Sequence, residues 1–254
     1  MKVGDGKEIT LHEETNYPFE EGIAFTVSTG EKVTFPFYLR IPSWTQKAEV
    51  RVNGKKVSVT PVAGKYLCIN REWANGDRVE LTLPMSLSMR TWQVNKNSVS
   101  VDYGPLTLSL KIAEKYVEKD SRETAIGDSK WQKGADSKKW PTTEIYPDSP
   151  WNYSLVLDKK EPLKNFKVIR KSWPADNYPF TVASVPLEVK AIGRPVPEWK
   201  IDETGLCGVL PEEDAVKGDK EEITLIPMGA ARLRISAFPV SYTHLRAHET
   251  CADL

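Results

Sequence analysis

Side chains able to do chemistry are few and scattered in this chain. Its 254 residues include three cysteines and three histidines. Cys68, Cys207 and Cys251 lie far apart, so no closely spaced cysteine pair is available to a structural zinc. Cys68 falls between Leu67 and Ile69 in an alternating segment and reads as a small packed side chain. Cys207 precedes Gly208 in a loop and has no neighbouring His or Lys to favour its thiolate. A disulfide between these two would need distant strands to bring the thiols together. His12, in Leu11-His-Glu-Glu-Thr15, stands alone and reads as a surface or hydrogen-bonded residue. Carboxylates occur as runs: Glu13-Glu14, Glu20-Glu21, Glu212-Glu213-Asp214 and Glu221-Glu222. Paired-carboxylate catalysis needs two groups roughly 5–9 Å apart, one with its pKa raised by burial. Neighbours on a strand point to opposite faces and turn residues are solvated, so these runs read as surface charge. The sequence therefore assigns no catalytic, cofactor-binding or metal-binding residue.

Tryptophan is the residue type that keeps a functional reading. Trp44 and Trp73 fall at strand ends and read as packing residues, within the fold or against a neighbouring domain. Trp131, Trp140 and Trp151 lie in or beside a polar stretch where burial is less assured. A flat ring there suits the apolar C–H face of a sugar, or a neighbouring subunit.

These residues sit on a chain that reads as strands. In Lys32–Ile41, Val33, Phe35, Phe37, Leu39 and Ile41 share one face and Thr34, Tyr38 and Arg40 the other. Pro36 cannot donate to a ladder and marks an edge or bulge. Glu49–Val52 and Lys55–Thr60 flank Asn53-Gly54, a strong hairpin signal because a type I′ turn needs positive φ at both central residues. Lys65–Asn70 and Arg78–Leu83 follow, separated by a turn-like Arg71–Asp77. A second group alternates through Val99–Tyr103 and Leu106–Ile112. Strands are then expected at Tyr153–Leu157, Phe166–Ile169, Thr181–Ile192, Glu222–Ile226 and Ala231–Phe238. Strand spacing near ten residues predicts an all-β chain of two tandem antiparallel β-sandwich domains, residues 1–97 and 98–240. A long polar insertion without periodicity, 118–150, interrupts the second.

From Ser241 the alternation stops. SYTHLRAHETCADL, residues 241–254, resembles a translated sequencing-adapter read-through and is expected to be non-native. The alternative is a metal-binding tail, since His244, His248 and Cys251 have helix-compatible spacing. Lys and Arg number 35 against 35 Asp and Glu. They are dispersed, which argues against nucleic acid and anionic lipid as partners. No apolar run approaches the roughly 20 residues of a membrane-spanning helix.

Several segments in shared order resemble a known family. They are Glu14–Pro18, Leu39-Arg-Ile-Pro-Ser-Trp44, Val50-Arg-Val-Asn-Gly54, Tyr66–Trp73, Gly76-Asp77 and Val79–Met85. Tyr103-Gly-Pro-Leu106, Pro186-Leu-Glu-Val189, Ile223–Gly229 and Leu233-Arg-Ile235 continue the series. Together they resemble the non-catalytic C-terminal region of glycoside hydrolase family 127, the β-L-arabinofuranosidases. That resemblance implies a parent enzyme with an N-terminal (α/α)6 barrel holding zinc through one Glu and three Cys, one Cys serving as nucleophile. None of the barrel's motifs is present, so no catalytic residue carries over. The expectation is an accessory portion, inactive and cofactor-free alone, whose partners are the barrel, a second copy or a plant glycan. The alternative is a non-catalytic carbohydrate-binding or assembly module. The compartment is left open.

Overall fold

Alternation in Val33–Arg40 translates directly into layers. Val33, Phe35, Phe37 and Leu39 are buried, and Thr34, Pro36, Tyr38 and Arg40 are exposed. The computed structural model describes residues 1–120, 136, 138–203, 205–212 and 215–242. Trp131 and residues 243–254, with His244, His248 and Cys251, lie outside them. Among the described residues the chain is all-β, with two short 3-10 turns, Gly4–Gly6 and Met228–Ala230. It divides into two units: Met1–Ser88 with Asp102–Leu106, and Met89–Val101 with Thr107 onward.

The strands of the first unit are Lys2–Val3 (β1), Lys7–Thr15 (β2), Gly22–Thr29 (β3), Val33–Arg40 (β4), Glu49–Val52 (β5), Lys55–Lys56 (β6), Tyr66–Trp73 (β7) and Arg78–Thr82 (β8). One sheet runs β1-β2-β3-β8-β5-β6; β4 and β7 form a second layer. Val27, Val50, Val79 and Leu81 from the first layer share a core with Phe35, Phe37, Leu39, Leu67 and Trp73 from the second. Such an inter-sheet core is what a half-buried alternating strand requires. At the β5–β6 hairpin, Asn53 and Gly54 adopt φ of 51° and 74°, the positive values expected of a type I′ turn. Asn53 also donates through Nδ2 to Asp77 Oδ1 at 2.8 Å, and its Oδ1 accepts the Arg78 N–H at 2.9 Å. The turn thereby fastens to the loop before β8.

Three stretches differ from expectation in the first unit. The strand expected over Lys55–Thr60 ends after two residues, ahead of Pro61, which has no N–H for a ladder. Residues 71–73, expected to turn, extend β7, because Trp73 pairs with Val33 and is fully buried. Its Nε1 donates to the Phe35 carbonyl at 2.9 Å. Strands β2 and β3 gave no reading in the sequence; β2 buries only Ile9 fully, so its alternation is weak. Leu87–Trp92 is a strand (β9) whose residues from Met89 belong to the second unit.

The second unit continues with Ser98–Tyr103 (β10), Leu106–Leu110 (β11), Glu114–Lys119 (β12), Thr142–Pro147 (β13), Tyr153–Leu157 (β14), Lys167–Arg170 (β15), Leu187–Pro195 (β16), Glu221–Pro227 (β17) and Val240–Tyr242 (β18). The main sheet is ordered β18-β14-β16-β17-β11-β10-β9, with β15 also on β16. Strands β10 and β14 are buried at every position, so both faces are covered there. The insertion is not structureless: β12 and β13 pair from Glu114↔Pro147 to Lys119↔Thr142 as a separate ribbon. Thr181–Pro186 is loop, and the strand expected there starts at Leu187, after Pro186. Ala231–Phe238, expected as a strand, makes only an isolated bridge from Phe238 to Val99. The 3-10 turn at Met228–Ala230 redirects the backbone just before it. The first two residues of the expected foreign tail belong to the fold. Ser241 and Tyr242 extend β18 in parallel beside β14, and Ser241 Oγ is buried 3.0 Å from Ser154 Oγ.

Candidate functional site

Of the three tryptophans singled out, Trp131 lies outside the described residues. Trp151 is half-buried and packs edge-on against buried Trp199, ring centres 5.2 Å apart. Trp199 Nε1 in turn donates to the Gly208 carbonyl at 3.0 Å, which makes this pair part of the packing. Trp140 is 66% exposed, with Lys139 Nζ 5.9 Å from its ring centre. Trp151 is thus a structural residue, and Trp140 a displayed one.

The second unit displays further aromatic and charged side chains, on three elements. The first element is the loop between β15 and β16, residues 171–186. Its neck closes through the Lys171 N–H to the Pro186 carbonyl, 2.8 Å. Inside it, Asn177 takes φ of 55°, a left-handed conformation that Asn tolerates better than most residues. The Asp176 carboxylate accepts the Tyr178 N–H at 3.0 Å, and Trp173 Nε1 donates to Asn177 Oδ1 at 2.7 Å. Ser184 donates through Oγ to the Tyr178 carbonyl at 2.6 Å, and Thr181 Oγ1 accepts the Ser184 N–H at 3.0 Å. Pro179 is buried between two displayed rings, Tyr178 at 47% and Phe180 at 43% exposure. Those rings meet edge to face, 5.6 Å apart at 72°.

The second element is the ribbon. Register puts Tyr116 opposite Ile145 on one face and Tyr146 opposite Lys115 on the other. The third is the segment after Met228–Ala230, which supplies Arg232. The Arg232 N–H donates to Glu114 Oε1 at 2.9 Å, and the Tyr116 hydroxyl donates to Glu114 Oε2 at 2.6 Å. The Tyr116 hydroxyl, and after it that of Tyr178, hold the Arg232 pKa above its ordinary value. The hydrogen-bonded Glu114 carboxylate, with burial and its charge adding, pushes the Tyr116 phenol above its ordinary range. Glu114 thereby ties the ribbon's Tyr116 to the backbone of the segment after Ala230.

Sequence reasoning missed this set. Its visible signal is Asp176-Asn-Tyr-Pro-Phe180, aromatics embedded in turn-forming residues with no alternation to bury them. Glu114 and Arg232 carry no local signal, since 118 residues separate them.

Both Cys68 and Cys207 are free thiols; Cys68 is half-buried and Cys207 exposed. Cys68 faces Tyr38 across the β4–β7 register, and its hydrogen bond pushes the Tyr38 phenol up. Among the described residues no three His, Cys, Asp or Glu side chains converge as metal ligands. The one-Glu, three-Cys zinc set implied by the family resemblance therefore has no counterpart among them. His12 is exposed and reaches Glu14 only at 4.0 Å.

Residues 2–85 match the family model described as the β-L-arabinofuranosidase, GH127 middle domain. No curated protein matches the chain. Among solved structures, a GH127 β-L-arabinofuranosidase from Geobacillus stearothermophilus T6 is 23% identical with a TM-score of 0.54, covering 93% of this chain and 31% of its own. A structure described as a GH127 β-arabinofuranosidase is 22% identical with a TM-score of 0.56, covering 94% of this chain and 33% of its own. A third, described as a glycoside hydrolase, is 20% identical with a TM-score of 0.56, at 93% and 33% coverage. At these identities the likeness is one of fold, and it runs through both units. The chain spans about a third of the length of each structure.

Proposed function

We propose, with residues 2–85 matching a GH127 middle domain as the premise, that this chain is the accessory β-sandwich portion of a glycoside hydrolase. The parent removes β-L-arabinofuranosyl residues, or a similar pentose, from plant glycans. Its chemistry resides in an (α/α)6 barrel outside this chain, which is also where its zinc is held. The accessory portion covers one side of that barrel and supports assembly, including pairing of two copies. The observation that carries this reading is the family match to the first unit, and the fold likeness across nearly the whole chain accompanies it.

Two measurements test it. The purified chain, assayed with a nitrophenyl β-L-arabinofuranoside with and without added zinc, should release no nitrophenol; turnover would reject an accessory role. The coding DNA upstream of Met1 should continue in frame into a helical-repeat region carrying Glu-x-Cys and a later Cys-Cys. An in-frame stop directly ahead of Met1 would refute the parent enzyme.

A further inference from the structure

We infer that the sheet face carrying Lys111, Lys167, Lys171 and Lys190 binds an acidic oligosaccharide, whose carboxylates lie along the lysines. That the anion is a sugar acid rests on the function proposed above; the cationic site itself rests on strand register and ion-pair geometry.

These lysines are scattered in the sequence and meet through register. Lys167 on β15 lies directly opposite Lys190 on β16, and Lys190 lies opposite Thr224 on β17. Lys111, just past β11, donates its backbone N–H to the Thr224 carbonyl at 2.8 Å and so continues the row. Directly paired residues point to the same face, and this row crosses three strand intervals, roughly 14 Å. The next row on that face holds Ile169 opposite Glu188, and Lys171 follows Ile169 by two positions. Side-chain contacts agree with this placement. Lys190 Nζ reaches Thr224 Oγ1 at 2.9 Å and Glu222 Oε1 at 3.0 Å. Lys111 and Lys171 both reach Glu188 Oε1, at 2.6 and 2.5 Å.

Charge does not close on this face. Four ammonium groups meet two carboxylates, Glu188 and Glu222. Lys167 is exposed, faces a lysine across the ladder and has no ion pair among the described residues. Like charges directly opposite cost stability, so an anion between them relieves a repulsion that the chain leaves standing. Buried Glu188 pins Lys111 and Lys171, and each ammonium carries three N–H donors, only some of which one carboxylate oxygen can engage. Separate point charges in a row suit an extended ligand with carboxylates at intervals better than one compact anion. Ile169 and Ile192, half-buried on the same face, offer apolar surface to the C–H faces of sugar rings.

Isothermal titration of the whole purified chain with hexagalacturonate, neutral arabinohexaose, tripolyphosphate and hexaglutamate tests this. Hexagalacturonate should bind, more weakly as salt is raised, and arabinohexaose should not. Lys167→Glu should weaken binding on the order of tenfold, and Lys167→Ala severalfold. Glu222→Gln, which removes a competing carboxylate, should tighten it severalfold. Lys115→Glu makes the same charge change on the ribbon and should leave binding as it was. Absence of hexagalacturonate binding, binding unchanged in Lys167→Glu, or an equal loss in Lys115→Glu would overturn the site. Tighter binding of tripolyphosphate, or of hexaglutamate, would overturn the sugar acid in favour of a phosphate or of an acidic protein segment. None of these results touches the accessory role, which the nitrophenyl assay and the upstream DNA test separately.

Discussion

Glu188 shows how much a single side chain depends on what the rest of the sheet brings to it. It sits on β16 with only 6% of its surface exposed, yet it carries two cationic partners, Lys111 Nζ at 2.6 Å and Lys171 Nζ at 2.5 Å. Burial pushes its pKa up, but the hydrogen bonds and charges of the two lysines outweigh that and hold it below the ordinary value of 4.5. A carboxylate depressed in the folded state contributes stability that is complete above its unfolded value and is lost as pH falls through the folded one. Glu188→Gln should therefore cost about 1–3 kcal/mol near neutrality, discounted within that range because the lysines are partly solvated. Urea unfolding of the two proteins at decreasing pH should show the gap closing below 4.5. A gap that persists or widens on acidification would argue that the lysines do not hold this carboxylate. Nothing in the sequence singled Glu188 out, because alternation places it on the face opposite Leu187 and Val189, and only tertiary packing buries that face too.

Turns, by contrast, show at the level of elements how far local chemistry can be read. The Asn53-Gly54 hairpin was legible because positive φ at two successive residues has a narrow sequence signature. So were β4, β5, β7 and β8, whose apolar positions repeat every second residue. The ribbon β12–β13 was not, since its burial pattern is mostly exposed and its stability comes from pairing rather than from an apolar face. The contact of Glu114 with Tyr116 and Arg232 escaped for a related reason: Glu114 and Arg232 lie 118 residues apart and meet only in the folded chain. Two glycines allow the role of turn geometry to be measured. Gly54 has φ of 74° and open space where an added methyl would sit, so Gly54→Ala should cost about 1 kcal/mol of backbone strain alone. Gly104 has φ of 56°, and a methyl there would lie 2.6 Å from Met85 Cγ. Gly104→Ala should cost about 2–4 kcal/mol, strain and overpacking together. Equal losses in denaturant midpoint for the two would show that the Met85 contact yields freely.

At the scale of the molecule, the fold likeness covers both units, but residues 102–106 belong to the first although they lie far along the chain. Within that unit the Gly104 N–H donates to the Ser86 carbonyl at 3.1 Å, and the buried Met85 packs beneath Gly104. A polypeptide of residues 1–97 should accordingly fold less stably than the same unit in the whole chain. Thermal unfolding should show a midpoint lowered by several degrees, as expected for a loss of about 1 kcal/mol in a domain of this size. An unchanged midpoint would mean that the five residues contribute nothing to the unit that contains them.

That arrangement bears on inheritance. No single crossover in a gene can hand over one unit complete without carrying part of the other, because each is written in two separated stretches that interleave. Recombination that keeps both intact must transmit them as a couple, so relatives carrying one are expected to carry the other.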